Sequence, residues 1–207
     1  MRRTRPAVLS LAALTTAATL APVLAAGSAY AVERPHVRTH TDAAHDVGRS
    51  VRNSSDHETV TAAPGRTDGD VLRSVVRHRA RSVLVELQLA SLRRSGLAVG
   101  ESLRIVTDQH VLRDITVQLV PGTGRTTVYV EGRNGQDRPC PGLKAHLDFT
   151  HATTSVSVPR SCLGRPDWVR VGVGAFKQTS ESTYYFDDAT VKAGQGDQLV
   201  LGPRAYH

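Results

Sequence analysis

The chain has 207 residues with a formal charge of +7, of which 40% are hydrophobic and only 4% aromatic, and it carries two cysteines. That length suits one domain with a buried core plus appendages. Its 26 basic residues are 23 arginines and three lysines, scattered along the chain with few aromatics among them. A nucleic-acid surface would gather basic residues on one face with aromatics interleaved, so nucleic acid is not an expected partner.

Residues 1–31 read as a signal peptide. Arg2, Arg3 and Arg5 precede an apolar stretch, residues 7–26, and Ala29-Tyr30-Ala31 supplies the small-x-small pattern for cleavage before Val32. The Thr-interrupted core, TTAAT, is weakly apolar for a membrane anchor. Arg2-Arg3 also fits a twin-arginine signal, but no Phe-Leu-Lys-like continuation follows, which favours the general export route. The segment holds three arginines and no acid, so its removal lowers the charge from +7 to +4. No later stretch is apolar enough to span a bilayer. The expected product is secreted and extracellular, with no transmembrane segment after cleavage.

Residues 32–67 are polar, rich in Pro, His, Ser, Asp and Arg, and show no sustained periodicity. They are expected to form a disordered N-terminal tether. His36, His40 and His45 lie close together there, but imidazoles on a mobile chain bind metal weakly because binding must first order the chain. Asn53-Ser54-Ser55 matches a glycosylation acceptor, and the match is read as chance.

The folded domain is expected over residues 68–190, opening on the turn signal Thr67-Asp68-Gly69-Asp70. Strand patterns follow at 71–78 and 82–89, where Val83, Val85, Leu87 and Leu89 alternate with Glu86 and Gln88 in the clearest period of two in the chain. Residues 92–100 read as a loop or a single helical turn. Further strands are expected at 103–107, 114–120 and 126–131, the last two joined by Pro121-Gly122-Thr123-Gly124. Asn134-Gly135 suits a tight turn. Strands at 143–149, 154–158, 168–176 and 183–186 complete the set. About nine short strands in roughly 120 residues, joined by Gly/Pro turns too short for helical crossovers, define an all-β, antiparallel, jelly-roll-like sandwich. Residues 191–207 read as a C-terminal tail with room for a short final strand.

Cys140 and Cys162 are expected to form a disulfide, since exported cysteines normally pair. A Cys162 nucleophile in RSCLG would want a His/Asn signature, and none is recognisable. Strands 143–149 and 154–158 make a hairpin around His151. For their inner faces to agree, Leu147 must lie opposite Val156 or Thr154, because a one-residue slip reverses every side chain. In the first of these registers Cys140 falls one position from Cys162, and a bend at Pro159 supplies the offset.

No catalytic arrangement stands out. The chain lacks a G-x-S-x-G elbow, an H-E-x-x-H helix, a phosphate-cradling loop and a C-x-x-C pair. His78, His110, His146 and His151 have no ligand or triad spacing, and Ser161 has no partner in sequence. The chain is therefore read as non-enzymatic. Asp68 and Asp70 open the fold while Asp187 and Asp188 close its last strong strand. In a jelly roll the first and last strands often lie side by side, so these acids are the candidate ligands for a structural Ca²⁺; the alternative is that they cap turns. No other cofactor is expected. Trp168 and Arg170 share a parity opposite to Val169, Val171 and Val173. Trp168 either covers the rim of the core or, exposed with Arg170 beside Tyr184 or Tyr185, stacks on a sugar ring.

The stretch VPRSCLGRPDWVRVGV, with Cys140-Pro141-Gly142-Leu143, resembles a recurrent type of small secreted actinobacterial protein with no assigned role, over about residues 68–190. Abundant Arg beside Ala, Gly and Val, as a GC-rich genome produces, points the same way. The strand plan is similar to carbohydrate-binding and DOMON-like β-sandwiches. A DOMON-like haem site would want a Met or His ligand, and the one methionine is Met1. Two functions follow as expectations: a secreted non-catalytic module that contacts cell-envelope glycan or a protein, or a small inhibitor of an extracellular enzyme. The inhibitor would present residues 140–143 or 159–166, preorganised by the disulfide.

Overall fold

Period-two alternation becomes two antiparallel sheets in the computed structural model, which describes residues 34–190 and 199–207. The expected signal peptide, and residues 191–198 of the expected tail, lie outside the described residues. The strands are β1 (Val37–Thr41), β2 (Gly48–Arg52), β3 (Glu58–Ala62), β4 (Val71–His78) and β5 (Ser82–Leu89). They continue with β6 (Ala98–Thr107), β7 (Leu112–Val120), β8 (Arg125–Glu131), β9 (Lys144–Asp148) and β10 (Thr153–Pro159). The last three are β11 (Trp168–Gln178), β12 (Thr183–Asp188) and β13 (Ala205–Tyr206). One sheet runs β1-β4-β5-β10-β9 and the other β3-β2-β12-β11-β6-β7-β8, with β13 also paired to β11.

The inner faces meet in one apolar core. Val83, Val85, Leu87, Leu89, Val156 and Val158 come from the first sheet, and Val99, Leu103, Ile105, Ile115, Val117, Val169 and Val173 from the second. Each is almost completely enclosed. Full burial of such side chains stabilises the fold by about 1.5–3 kcal/mol each. The nine expected strands are all present, as β4 to β12, in the all-β sandwich that the alternation implies. Residues 92–97 form a loop leading into β6.

Residues 37–62 depart from the expected disordered tether, because they form β1, β2 and β3. β1 and β3 are edge strands, and four of the five residues in each are exposed. A strand with so little buried surface needs no apolar alternation, and polar side chains protect a sheet edge from pairing with other chains. β1 borrows its order from β4, which it pairs along its whole length. β13 realises the short final strand and pairs Trp168 and Val169.

The β9–β10 hairpin takes the second of the two admissible registers, with Leu147 opposite Thr154 and Ala145 opposite Val156. Extrapolated, that register sets Cys140 against Ser161. The 3₁₀ turn Arg160–Leu163 that follows β10 supplies the one-residue offset. The Cys140–Cys162 disulfide closes there, with Cα atoms 5.5 Å apart, and Leu163 is fully buried beneath it.

Candidate functional site

The outer face of the β12-β11-β6-β7 surface carries a groove of about 190 Å³. Alternation builds it. Residues Val171, Val173 and Ala175 of β11 point into the core, so Gly174 and Phe176 fall on the other face, where neighbouring side chains leave Phe176 only 5% exposed. Phe176 lies opposite Phe186 of β12 and opposite Gly100 of β6. A Cβ on Gly100 would stand 1.9 Å from the Val117 carbonyl oxygen and 3.0 Å from the Phe176 ring, and one on Gly48 would stand 2.8 Å from the Phe186 ring. Glycine at both positions lets the rings lie down on the neighbouring strands. Tyr184 completes an aromatic row, with ring centroids 5.7 Å from Phe176 and 6.1 Å from Phe186 and the rings stacked. Across the floor of Gly174, Ser102 and Thr116, Arg104 donates to Asp114 in a bidentate pair at 2.7 and 3.2 Å. Leu199 closes one end. β12 to β7 spans three strand spacings, roughly 14 Å.

Of the four expected ligand-binding residues, only Tyr184 lines this groove. Trp168 begins β11, whereas Tyr184 lies opposite Gln178 at the far end of that strand, roughly 33 Å away. The C-terminal segment occupies the Trp168 end. The Arg204 guanidinium stacks 4.3 Å over the indole, and Arg170 donates to the carbonyls of Leu201 and Gly202 at 2.8 and 2.9 Å. Tyr185 is on the opposite face of β12, opposite Lys177, with Arg66 over its ring. The expected platform of Trp168, Arg170 and the tyrosines therefore does not form. Phe176 and Phe186 replace it, and the outward parity of Phe176 was the available signal.

Of the four acids expected to converge on a cation, only Asp187 joins a carboxylate cluster, because β4 and β12 lie in different sheets and the other three acids are engaged elsewhere. Asp68 is withdrawn into a buried ion pair with Lys177, which also donates to Ser95 Oγ at 2.7 Å, and it accepts the Arg93 N–H at 2.9 Å. Asp188 clamps the chain that follows: its Oδ1 accepts from Thr190 N–H and Oγ1, and its Oδ2 from Val200 N–H. Asp70 holds the β1–β2 loop by accepting the His45 N–H with both oxygens at 3.1 Å. Asp187, 3% exposed, points the other way from Asp188 and accepts the Val71 N–H through Oδ2 at 2.6 Å.

Two further acids arrive from the stretch read as a tether. Asp42 follows β1 and Asp46 lies in the same loop, and together with Asp187 they place one carboxylate oxygen each within 4.8 Å of one another. Burial pushes Asp187 up to about 8 against the pull of the Val71 N–H, and Asp46, Asp42 and Asp70 add to the rise. Burial likewise pushes Asp42 up to about 7, opposed by the Ala43 N–H and reinforced by Asp46, Asp188 and Asp70. His36, His40 and His45 are not part of the cluster. No family model, curated protein or solved structure matches this chain.

Proposed function

We propose that the chain is exported and acts as a non-catalytic binding module for glycan of the cell envelope, with the outer-face groove as its ligand site. The observation that carries this reading is the half-buried pair Tyr184 and Phe186, backed by the buried Phe176 ring, facing the Arg104–Asp114 pair across a floor of small residues. Aromatic faces pack on the apolar C–H faces of sugar rings, while fixed polar groups bind their hydroxyls. A likeness to carbohydrate-binding β-sandwiches is part of the same proposal. The inhibitor reading draws less support. The 159–166 stretch is held down by Leu163 in the core and by Arg160, which donates to the carbonyls of Ala80 and Pro166. A loop anchored in that way has little to insert into an enzyme cleft.

The test is co-sedimentation of the purified protein with peptidoglycan and with several insoluble polysaccharides. Binding that Tyr184→Ala weakens and Trp168→Ala leaves intact is the expected outcome. Absence of binding to every one of them rejects the glycan reading.

A further inference from the structure

The β1–β2 loop, the start of β4 and the end of β12 meet at a group of carboxylates, of which only Asp187 also borders the groove. Asp42 and Asp46 reach it from residues 42–47, and Asp187 from β12. The loop is docked on its neighbours by backbone bonds: Asp42 N–H donates to the Leu72 carbonyl at 3.0 Å, and His45 N–H to Asp70. His45 takes a φ of 69°, so the chain reverses sharply between the two acids. Asp187 is nearly sealed from solvent, and among the described residues its Oδ1 has no hydrogen-bond donor; its Oδ2 accepts from Val71. Asp42 Oδ2 is enclosed in the same condition, while its Oδ1 accepts from Ala43. The charges acting most strongly on both residues are other carboxylates, not cations.

A buried oxygen with lone pairs and no donor costs free energy, and bringing like charges together adds to that cost. Either protons or a cation must relieve it. The donors are all oxygen, with no nitrogen or thiolate, which selects a hard cation over zinc or copper. Three carboxylates from a loop and a strand, with Asp42 and Asp46 partly open to water, suit the variable coordination of calcium.

We propose that Asp42, Asp46 and Asp187 form a calcium-binding site that staples the β1–β2 loop to β12. The consequence runs to the groove. β2 pairs β12 through Phe186 and Gly48, so a cation fixing the loop before β2 also fixes the strand that seats Phe186. The site stands independently of the glycan reading, since it requires no ligand in the groove.

The experiment titrates chelator-treated full protein with calcium chloride by calorimetry and follows thermal unfolding with and without the metal. A saturable heat and a rise in melting temperature of roughly 5–10 °C at a hundredfold excess over Kd are expected. Asp187→Asn preserves shape and removes one ligand charge, so it should melt no lower than the metal-free parent and lose the calcium response at least tenfold. Asp114→Asn, in the groove, should keep the full response. Absence of heat and of any melting shift in the parent overturns the site, because protons alone then neutralise the cluster. A response that survives in Asp187→Asn, or vanishes in Asp114→Asn, also overturns it.

Discussion

Lys177 extends its ammonium from the inner face of β11 onto Asp68, in an ion pair whose side chains are 2% and 9% exposed. Ser95 Oγ and the Arg93 carbonyl satisfy the remaining protons of the ammonium. This pair joins the segment that precedes β4 to the middle of the opposite sheet, and it removes Asp68 from the carboxylate cluster nearby. Removing one member strands the other as a buried charge. Lys177→Met is expected to destabilise by about 3–5 kcal/mol, read as a lower urea midpoint with unchanged slope. Lys177→Met combined with Asp68→Leu should recover most of that loss. A double variant as unstable as the single one would mean that the lysine acts through packing, not charge.

Glu101 sits in the core at 0% exposure, and burial pushes it from 4.5 up to about 8, with the Thr154 hydroxyl opposing the rise. Between those values the folded state holds a proton that the unfolded chain has released. Stability should therefore fall as pH rises from about 4.5 to 8, by at most about 1.4 kcal/mol per pH unit for this one group. Asp42 and Asp187 tilt the profile in the same sense in chelator. Glu101→Gln should flatten the melting profile and melt higher than the parent at pH 8.5. The same slope in both proteins would remove Glu101 from the account.

The Cys140–Cys162 disulfide spans 22 residues of sequence. Closing a loop of that size is worth about 3 kcal/mol on the chain-entropy estimate. Cys140→Ser with Cys162→Ser should lower the melting temperature by roughly 6–12 °C. The parent, unfolded without reductant, should show no thiol reactive to Ellman's reagent.

Gly48→Ala tests how the groove is built. Its Cβ would stand 2.8 Å from the Phe186 ring, so the ring must shift and the aromatic row with it. A loss of about 1–3 kcal/mol is expected from overpacking, together with weaker glycan binding than the loss of stability explains. Gly65→Ala, where a Cβ meets nothing within 4 Å, is the control and should change neither.

β5 was legible from the chain because Val83, Val85, Leu87 and Leu89 bury one face while Glu86 and Gln88 expose the other. β4, β7 to β12 and the second half of β6 follow from the same alternation and their Gly/Pro turns, whereas the first half of β6 does not, because Gly100 and the inward Glu101 break the apolar pattern. That pattern is local, so it survives without knowledge of the fold. The pairing of the only two cysteines followed from their number, with the register left between two choices. β1 and β3 left no such trace, since an edge strand is ordered by its neighbour's hydrogen bonds and not by its own apolar residues.

The sequence by itself determined an all-β sandwich, the places of nine strands and the disulfide, because alternation, turn chemistry and cysteine count act between near neighbours. Tertiary structure alone decided that Asp42 and Asp46 meet Asp187, that Asp68 is claimed by Lys177, and that the C-terminal segment covers Trp168. These contacts join residues from 36 to more than a hundred positions apart. Sheet order brings them together: β12 lies between β2 and β11, and β1 pairs β4 across from them. Alternation records which face a residue takes but not which strand becomes its neighbour.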